Sequence, residues 1–284
     1  NLEPCAHYGK TPPCVDLIIK HKIPNIVIGT IDPFKKVNGN SINKLKKHCN
    51  VITGILLKDC INLNKKYFIN HCLNRPFLIL KWAESKDGFI NNLKPGITKL
   101  SCLESVKLSH KWRSEIDGIM VGTNTIICDN PQLTNRYNGK KQPIRITIDR
   151  HNKLTQNTWN IMDQSANTII FHNNPSTIID TTKYIDIRDI SGKENSKILL
   201  EIFKKLYQEG IGSIIIEGGK TILENCIKEN LWDEMRIFTC NKILHEGIKA
   251  PKFNYKRLKK QKVGDDFLTI LYSEKTKKRI EQAF

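Results

Sequence analysis

The sequence lacks any apolar run long enough to cross a bilayer. Its longest runs, such as FLIL at 77–80 and SIIIEGG at 213–219, have the length of buried strands. The first residues show no charged segment followed by an apolar one, which is the pattern of a secretion signal. We therefore expect a cytoplasmic protein that makes no use of a membrane. Its 284 residues exceed a typical single domain, so two domains are expected.

Disulfide bonds are not expected either. Cysteine occurs nine times, an odd number, and at irregular spacings, which is not the pattern of a disulfide framework. Apart from Cys5 and Cys14, the cysteines stand singly in periodic apolar segments. Most of them are therefore predicted to be reduced thiols of the core.

Arginine is scarce for so basic a chain. Only nine of the 46 Lys and Arg residues are Arg, although the formal net charge is +18. A basic surface attracts phosphate backbones, so a nucleic-acid-binding module built on an inactive enzyme is one hypothesis. The lysines are spread evenly, however, and no RNA-binding signature with interleaved aromatic residues is found. Solvated surface is the favoured interpretation, and no nucleic-acid partner is expected.

Apolar periodicity predicts an α/β protein of two domains. Between residues 14 and 74, segments with helical and with strand periodicity alternate over short connections. The Arg75-Pro76 dipeptide ends this region, because proline disfavours helical backbone in the residue before it. Short apolar strands follow it: FLILKWA, DGIMVG, IRITID, NTIIF, GSIIIE and EMRIFT. We therefore predict domains at 1–75 and 76–284, the second with a mostly parallel central sheet.

One helix start carries a clear signal. The segment SCLE at 101–104 has Ser and Glu three residues apart, which is the spacing of a capping box, and SVKLSHKWR follows it. Ser101 is thus the predicted N-cap. On this helix Val106, His110 and Arg113 are spaced i, i+4 and i+7, so they share one face.

Part of a zinc-deaminase signature is present and part is absent. Such an enzyme needs thiolates and one His to hold the metal, and a Glu that carries protons. PCAHYGKTPPC at 4–14 supplies two thiols, Cys5 and Cys14, with eight residues between them. None of the eight histidines is followed two positions later by Glu, so the H-x-E element is missing. The simpler interpretation is two core cysteines beside a turn.

The dinucleotide fingerprint G-x-G-x-x-G is also absent, which disfavours an ordinary Rossmann domain. GSIIIEGGKTILENCI at 212–227 instead ends a strand in Gly218-Gly219 and continues with helical periodicity. Backbone N–H groups at a helix N-terminus can bind a pyrophosphate, so this turn is a candidate nucleotide site. Taken alone, it also fits a plain turn between a strand and a helix.

Several motifs together carry a resemblance to a known family. PCAHYGKTPPC resembles the deaminase half of the bifunctional riboflavin-biosynthesis deaminase/reductase, whose pattern has Ser at the position of Ala6. LKWAESKDGFI, VGTNTIICDNPQLTNR, PIRITID and IIIEGG follow in that order and resemble the reductase half, over about residues 76–250. The resemblance implies a partial cytidine-deaminase-like domain at 1–75 and a dihydrofolate-reductase-like domain at 76–284.

The resemblance implies hydride transfer from NADPH to C1′ of the sugar of 5-amino-6-(5-phosphoribosylamino)uracil, which opens the ribose to a ribityl chain. It also implies a zinc-dependent pyrimidine deaminase, active only if the family's H-A-E element is encoded upstream of Asn1. The alternative is a reductase whose first domain is vestigial or has a regulatory or assembly role. The family tends to form dimers or larger assemblies, so a homo-oligomer is expected.

The resemblance further implies the site residues. Those expected at the reaction centre are Lys81, Asp129 and Glu217. Those expected to bind the phosphorylated substrate, whose phosphate suits the fork geometry of arginine, are Arg113, Leu133, Arg136 and Glu217. The expected cofactor contacts are Ala83, Ser101, Thr125, Asp129, Gly218, Gly219, Lys220 and Thr221. In the deaminase half the expected zinc ligands are Cys5 and Cys14, with His7 and Lys10 near the substrate.

Simpler interpretations of three of these residues stay open. Arg113 also fits a solvated helix residue, Asp129 a turn former, and Lys81 a solvent-facing side chain at a strand end. Elsewhere the chain departs from the family pattern, with Ile97 in place of a polar contact, Lys99 of a stacking Trp, Arg150 of Ser, Asn241 of Pro and His245 of Gly. These departures bear on affinity and rate more than on reaction type.

Overall fold

The computed structural model describes residues 1–93, 96, 98–137, 141–154, 158–190, 192, 194–254 and 260–281. The chain divides into two compact units, one formed by Asn1–Arg75 with Lys275–Phe284 and the other by Pro76–Glu274. The second domain predicted from the sequence, 76–284, includes residues 275–284. In the structure these residues group with the first unit instead. Their helix is short and strongly charged, so its sequence carries no sign of the unit it joins.

The first unit contains two parallel strands and five helices among its described residues. The bounds in chain order are α1 Cys14–Lys20, β1 Asn25–Ile28, α2 Asn40–Leu45, β2 Asn50–Thr53, α3 Leu57–Leu63 and α4 Lys65–Leu73, with the C-terminal helix of Glu274–Glu281. Its core is formed by Val15, Ile28, Ile42 and Leu45. The alternation of helix and strand that the periodicity predicts is present.

The second unit is built on a ten-stranded sheet. The described strands of the unit, ten in this sheet and two in a separate pair, are β3 Phe77–Glu84, β4 Phe89–Asn91, β5 Gly118–Val121, β6 Ile144–Asp149, β7 Thr168–His172, β8 Thr177–Ile179, β9 Thr182–Asp186, β10 Ser213–Gly218, β11 Glu234–Thr239, β12 Ile248–Lys249, β13 Lys260–Val263 and β14 Asp266–Tyr272. Its helices are α5 Leu103–Ser114, α6 Thr123–Asp129, α7 Asn195–Gln208 and α8 Lys220–Lys228; the C-terminal helix is α9.

The strand order in the large sheet is β13-β14-β11-β3-β10-β5-β6-β7-β9-β8, and β4 pairs with β12 separately. Six neighbouring pairs, from β11 through β9, are parallel, and the antiparallel pairs lie at the two ends. The predicted α/β fold with a mostly parallel central sheet is therefore confirmed. Parallel strands buried on both faces read as unbroken apolar runs, as Ile214, Ile215 and Ile216 show with no exposed area.

The position of β10 determines where a site can form. It lies between β3 and β5, although both precede it by many residues. The carboxyl ends of these three parallel strands therefore meet at one edge of the sheet. In open α/β sheets this edge is where ligands bind.

The predicted capping box is wrong. Helix α5 begins at Leu103, its N-cap is Cys102, and no side chain makes a capping hydrogen bond. Instead the Cys102 main-chain N–H donates to Oδ2 of Asp266, at 2.9 Å. A contact between residues 164 positions apart thus fixes the helix start, one residue later than the local spacing predicts. The shared face is as predicted for His110, which is buried, and Arg113, which is nearly so.

Among the described residues, none of the helices has the length and apolar character needed to pass through a bilayer.

Candidate active site

A cleft of about 670 Å³ opens at the carboxyl ends of β3 and β10, beside helices α6 and α8. Ten residues selected from the sequence line it. They are Lys81, Ala83, Ser101, Thr125, Asp129, Glu217, Gly218, Gly219, Lys220 and Thr221. The structure thus gathers residues that are up to 140 positions apart in the chain into one concave surface.

The glycine turn after β10 forms one wall of the cleft. Gly219 has φ of 78° and precedes α8 as its N-cap. A Cβ on Gly219 would lie 3.3 Å from Thr125 Oγ1 and 3.6 Å from the Gly122 backbone, because the turns before α6 and α8 approach each other closely. A side chain here would therefore fill the space in front of the first N–H groups of α8, where a phosphate group is expected.

Glu217, at the end of β10, accepts a two-pronged ion pair from α5. Arg113 donates from Nη2 to Oε2 at 2.7 Å and from Nε to Oε1 at 3.2 Å. A third bond runs from Arg113 Nη1 to the Thr134 carbonyl, at 2.9 Å. The side chains of Arg113 and Glu217 are only 12% and 7% exposed, so Arg113 is not the solvated helix residue of the simpler interpretation. Burial alone would raise the pKa of Glu217, but Arg113 and Lys81 outweigh it and lower that pKa to about 2.

Lys81, on β3, is the second cation beside this carboxylate. Its Nζ lies 3.9 Å from Glu217 Oε2, and its side chain is 14% exposed, so it does not point to solvent. Burial lowers the pKa of Lys81 below its ordinary value, while Glu217 opposes that change and Arg113 adds to it. A buried ammonium group with a lowered pKa is a better proton donor than an exposed lysine.

Asp129, the last residue of α6, carries an unsatisfied oxygen. Its Oδ1 is buried and has no hydrogen-bond partner among the described residues, and burial raises the pKa of this carboxyl. A buried acceptor without a donor is costly, so this atom is suited to a donor on a ligand. That property favours a site residue over a plain turn former.

The segment after α6 is held against α5 by two side chains of that helix. Arg113 binds the Thr134 carbonyl, and His110 Nδ1 accepts the main-chain N–H of Arg136 at 3.2 Å. Leu133, which is buried, has φ of 57°, a left-handed conformation that is unusual for leucine. Arg113, Leu133 and Arg136 are not among the residues that line the cleft. Of the three, Arg113 is connected to it through its ion pair with Glu217.

His110 accepts a hydrogen bond from Arg136 and lies three residues before Arg113 on α5, but it was not selected from the sequence as a site residue. It is 2% exposed. Burial, Arg113, Arg136 and Lys81 all lower the pKa of His110, to about 4, against the opposing effect of Glu217. The only sequence signal for His110 is its spacing of three residues before Arg113, which gives the two side chains a common face.

A second cleft, of about 390 Å³, shares Asn124, Gly219 and Thr221 with the first. The loop after β6 contributes Arg150, His151 and Lys153 to it. This loop is ordered by Asp149, whose carboxylate accepts the main-chain N–H groups of Lys153 at 3.0 Å and Leu154 at 2.8 Å. The two clefts therefore adjoin at the glycine turn, and the second has a basic rim.

In the first unit, Cys5 and Cys14 come together as expected of two metal ligands. The Cys14 main-chain N–H donates to Cys5 Sγ at 3.2 Å, and the pKa of the Cys14 thiol is raised, chiefly by its hydrogen bond with Cys5. No group of three or more His, Cys, Asp or Glu side chains suited to a metal occurs within the described residues. Two thiols do not complete a catalytic zinc site, so the described donor set does not fit this metal.

The other two residues selected in the first unit differ in their surroundings. His7 packs edge-on against Phe34, with 5.6 Å between ring centroids, and its buried Nδ1 has no hydrogen-bond partner among the described residues. Lys10 is exposed. An unsatisfied imidazole nitrogen is suited to a ligand, whereas the position of Lys10 indicates no particular role.

Of the departures from the family pattern, Ile97 lies outside the described residues. Lys99 is exposed, and its carbonyl accepts a bond from Lys242. Asn241 Nδ2 donates to the Asp265 carbonyl at 3.1 Å. His245 has φ of 64°, which explains why glycine suits this position, and its main-chain N–H donates to Asp87 at 2.7 Å.

The mostly parallel sheet has a glycine turn, a buried Lys-Glu-Arg group and an unsatisfied carboxylate at its carboxyl edge, which defines a ligand site of the kind that α/β enzymes have. Residues 76–261 match the family described as the RibD C-terminal domain. The chain is 32% identical to the riboflavin biosynthesis protein RibD of Aquifex aeolicus, over 87% of this chain and 69% of that protein. It is 32% identical to RibD of Buchnera aphidicola, over 95% of this chain and 79% of that protein. The chain therefore belongs to the RibD family of riboflavin biosynthesis proteins.

Solved structures agree with this assignment. The diaminohydroxyphosphoribosylaminopyrimidine deaminase/5-amino-6-(5-phosphoribosylamino)uracil reductase of Thermotoga maritima is 28% identical, with a TM-score of 0.81 over 96% of this chain and 78% of that chain. The riboflavin biosynthesis reductase Rib7 of Saccharomyces cerevisiae, 22% identical, shares the fold with a TM-score of 0.53 over 75% of this chain and 99% of that chain.

Proposed function

We propose that the second unit catalyses the NADPH-dependent reduction of the ribosyl group of 5-amino-6-(5-phosphoribosylamino)uracil to the ribityl form, a step of riboflavin synthesis. Membership of the RibD family and the likeness to the Thermotoga maritima enzyme support this. The observation that carries the proposal is the single cleft in which Lys81 and Glu217 adjoin the Gly218-Gly219 turn. A cofactor bound at the glycine turn and a substrate beside Lys81 would therefore lie in the same cleft.

The walls of the cleft fit a dinucleotide. Gly219 leaves the N-terminus of α8 open to a pyrophosphate, whereas a Cβ on Gly219 would make a tight contact with Thr125 Oγ1, at 3.3 Å. Ala83, Ser101, Lys220 and Thr221 complete the proposed cofactor contacts. When bound, NADPH supplies the hydride.

The second cleft supports a preference for NADPH over NADH. A 2′-phosphate distinguishes the two cofactors, and cationic side chains recognise it. Arg150 and Lys153 line the cleft that adjoins the glycine turn, so they are our candidates for this contact. On this proposal, the replacement of the family's serine by Arg150 strengthens recognition of the cofactor.

The described residues also account for the proton that the reaction needs. Hydride addition at C1′ breaks the C1′–O4′ bond, and O4′ must then take up a proton. Lys81 is a buried ammonium group with a lowered pKa in the cleft, so we assign it as the donor to O4′. Glu217 stays ionised and accepts hydrogen bonds from the substrate, while Asp129 Oδ1 accepts one from the cofactor or substrate.

The phosphate of the substrate is assigned to the arginines selected from the sequence, Arg113 and Arg136. Arg113 is already occupied by Glu217 and Thr134, so its main effect is to position the carboxylate. Arg136 is exposed and bonded at one end to the Gln132 amide, at 2.9 Å, and is the better candidate for a direct contact. Leu133 lies in the same segment and completes the proposed substrate contacts.

No deaminase step is assigned to the first unit, because its described residues do not complete a zinc site. The pair of Cys5 and Cys14 is compatible with both interpretations given above. One is a deaminase completed by upstream residues, and the other is a vestigial domain or one with an assembly role. Metal analysis of the purified chain separates them, since stoichiometric zinc would argue against a vestigial site.

The reductase proposal is tested by mixing the purified chain with NADPH and authentic substrate. We expect loss of NADPH absorbance that depends on the substrate and yields the ribityl product, with no loss when the substrate is omitted. The absence of turnover by folded protein that binds NADPH would refute the proposal.

A further inference from the structure

A ribbon outside the large sheet forms one wall of the first cleft. Among the described residues, strands β4 and β12 pair only with each other, Ile248 beside Asn91 and Lys249 beside Phe89. Asn91 and Ile248 both line the cleft, and Ile248 is 40% exposed. A two-stranded ribbon is marginally stable by itself, so the contacts that hold it determine where this wall of the cleft lies.

The carboxylate of Asp87 holds the segment that leads into β12. Its Oδ1 accepts the main-chain N–H of Leu244 at 3.1 Å, and its Oδ2 accepts that of His245 at 2.7 Å. The Ser85 hydroxyl donates to Oδ1 at 2.6 Å. These donors, the hydroxyl first, lower the pKa of Asp87 to about 2, so the carboxylate is ionised at neutral pH. All three hydrogen bonds are therefore made to a charged group, which strengthens them.

The backbone transmits this anchor to the cleft. His245 has φ of 64°, and Gly247 follows with φ of 151°. A Cβ on Gly247 would collide with the Asn91 carbonyl oxygen, so the two backbones are in close contact and only glycine fits between them. Ile248 comes next and pairs with Asn91. The hydrogen bonds of Asp87 therefore act three residues before the side chain that enters the cleft wall.

Asp87 is exposed and is not among the described residues that line the cleft, so it acts through other residues. We propose that Asp87 is a positioning residue of the reductase site. Through the main chain of Leu244 and His245, it places Asn91 and Ile248 against the ligand in the cleft. That ligand is NADPH, an assignment that rests on the proposed function.

Two substitutions remove the anchor to different extents. Asp87→Ala removes both acceptor oxygens, whereas Asp87→Asn keeps one of them. We expect Asp87→Ala to weaken NADPH binding in calorimetry about tenfold or more, the effect of one hydrogen bond to a charged group, and Asp87→Asn to weaken it less. Asp265→Ala is the matched control. Asp265 is an exposed aspartate whose carbonyl accepts a bond from Asn241, and this variant should bind NADPH like the parent chain.

Hydrogen exchange followed by mass spectrometry tests whether the effect passes through the ribbon. In the parent chain, NADPH should slow amide exchange in residues 86–93 and 241–250. In Asp87→Ala, exchange in both segments should be faster without ligand and less protected by NADPH, because local opening of a weakly held segment becomes easier. Exchange in strands β6 and β7 should be the same in both chains.

Parental NADPH affinity in folded Asp87→Ala would overturn the inference, since an aspartate with only a structural role would change stability and not affinity. Weaker binding with unchanged exchange in the two segments would overturn it as well. These outcomes are separable from failure of the proposed function, in which the variants bind NADPH and exchange as expected but substrate does not oxidise NADPH. A parent chain that binds no NADPH would refute both.

Discussion

Replacing Glu217 with glutamine tests how the buried charges of the site are balanced. Glu217→Gln keeps the shape and one acceptor for Arg113, but it removes the negative charge between two buried cations. The pKa of Glu217 falls from an ordinary 4.5 to about 2, and a shift of this size corresponds to about 3 kcal/mol of stability. Measurements on other buried ion pairs that lose one partner give about 3–5 kcal/mol, which agrees.

The sign of the pH dependence follows from the same shift. Because the pKa of Glu217 is lower in the folded than in the unfolded chain, its contribution is complete above about pH 4.5 and is lost as the pH falls towards 2. We expect Glu217→Gln to lower the free energy of unfolding by about 3 kcal/mol at pH 7, and by progressively less below pH 4.5.

The assay is urea unfolding followed by tryptophan fluorescence at several pH values. Glu115→Gln is the matched control, since Glu115 forms an exposed pair with Lys111 on α5, with 3.9 Å between the charged atoms. Its effect should stay within about 0.5 kcal/mol. Equal stability of the two variants at neutral pH would show that the charge of Glu217 is not balanced by Arg113 and Lys81.

Three further predictions concern the proposed cofactor and the reaction. Gly219→Ala should weaken NADPH binding at least tenfold in calorimetry, because the added Cβ lies 3.3 Å from Thr125 Oγ1. The control Gly210→Ala, at a glycine with a similar φ of 82° but open space around it, should bind NADPH normally. Equal NADPH affinities of the two variants would argue against the Gly218-Gly219 turn as a phosphate site. Arg150→Ser should weaken NADPH about tenfold while leaving NADH unchanged, and an equal loss for both cofactors would remove Arg150 from the 2′-phosphate contact. Lys81→Met should lower kcat by about a hundredfold or more with little change in NADPH affinity, and an unchanged kcat would exclude Lys81 as the proton donor.

The strands of the second unit were predictable because their burial on both faces leaves continuous apolar runs in the sequence. The Gly218-Gly219 turn was predictable for a similar reason, since strand and helix patterns meet there. Patterns within a short stretch of sequence cannot predict contacts between residues that are far apart in the chain. The start of α5 depends on Asp266, 164 positions away, and the ion pair of Arg113 with Glu217 spans 104 positions.

The resemblance named the residues of the site but not their mutual arrangement. It gave Arg113 and Arg136 the same role, and the structure separates them, since Arg113 is occupied by Glu217 whereas Arg136 is exposed. His110 escaped selection because a buried histidine on a helix face is usually a core residue. In the structure its Nδ1 accepts the main-chain N–H of Arg136, a contact that the helical spacing does not predict. The assigned roles of all these residues remain predictions.

The insertion of β10 between β3 and β5 also governs how the chain folds during synthesis. When residues 77–121 leave the ribosome, β3 and β5 have no direct pairing with each other and must wait for residues 213–218. Two apolar strand edges therefore stay open while nearly a hundred further residues are made, and pairing at such long sequence separation is slow. Docking of β10 closes these edges and brings Glu217 to Lys81 and Arg113. A chain truncated before β10 would therefore leave both strand edges unpaired, and its two buried cations would lack the carboxylate that balances them.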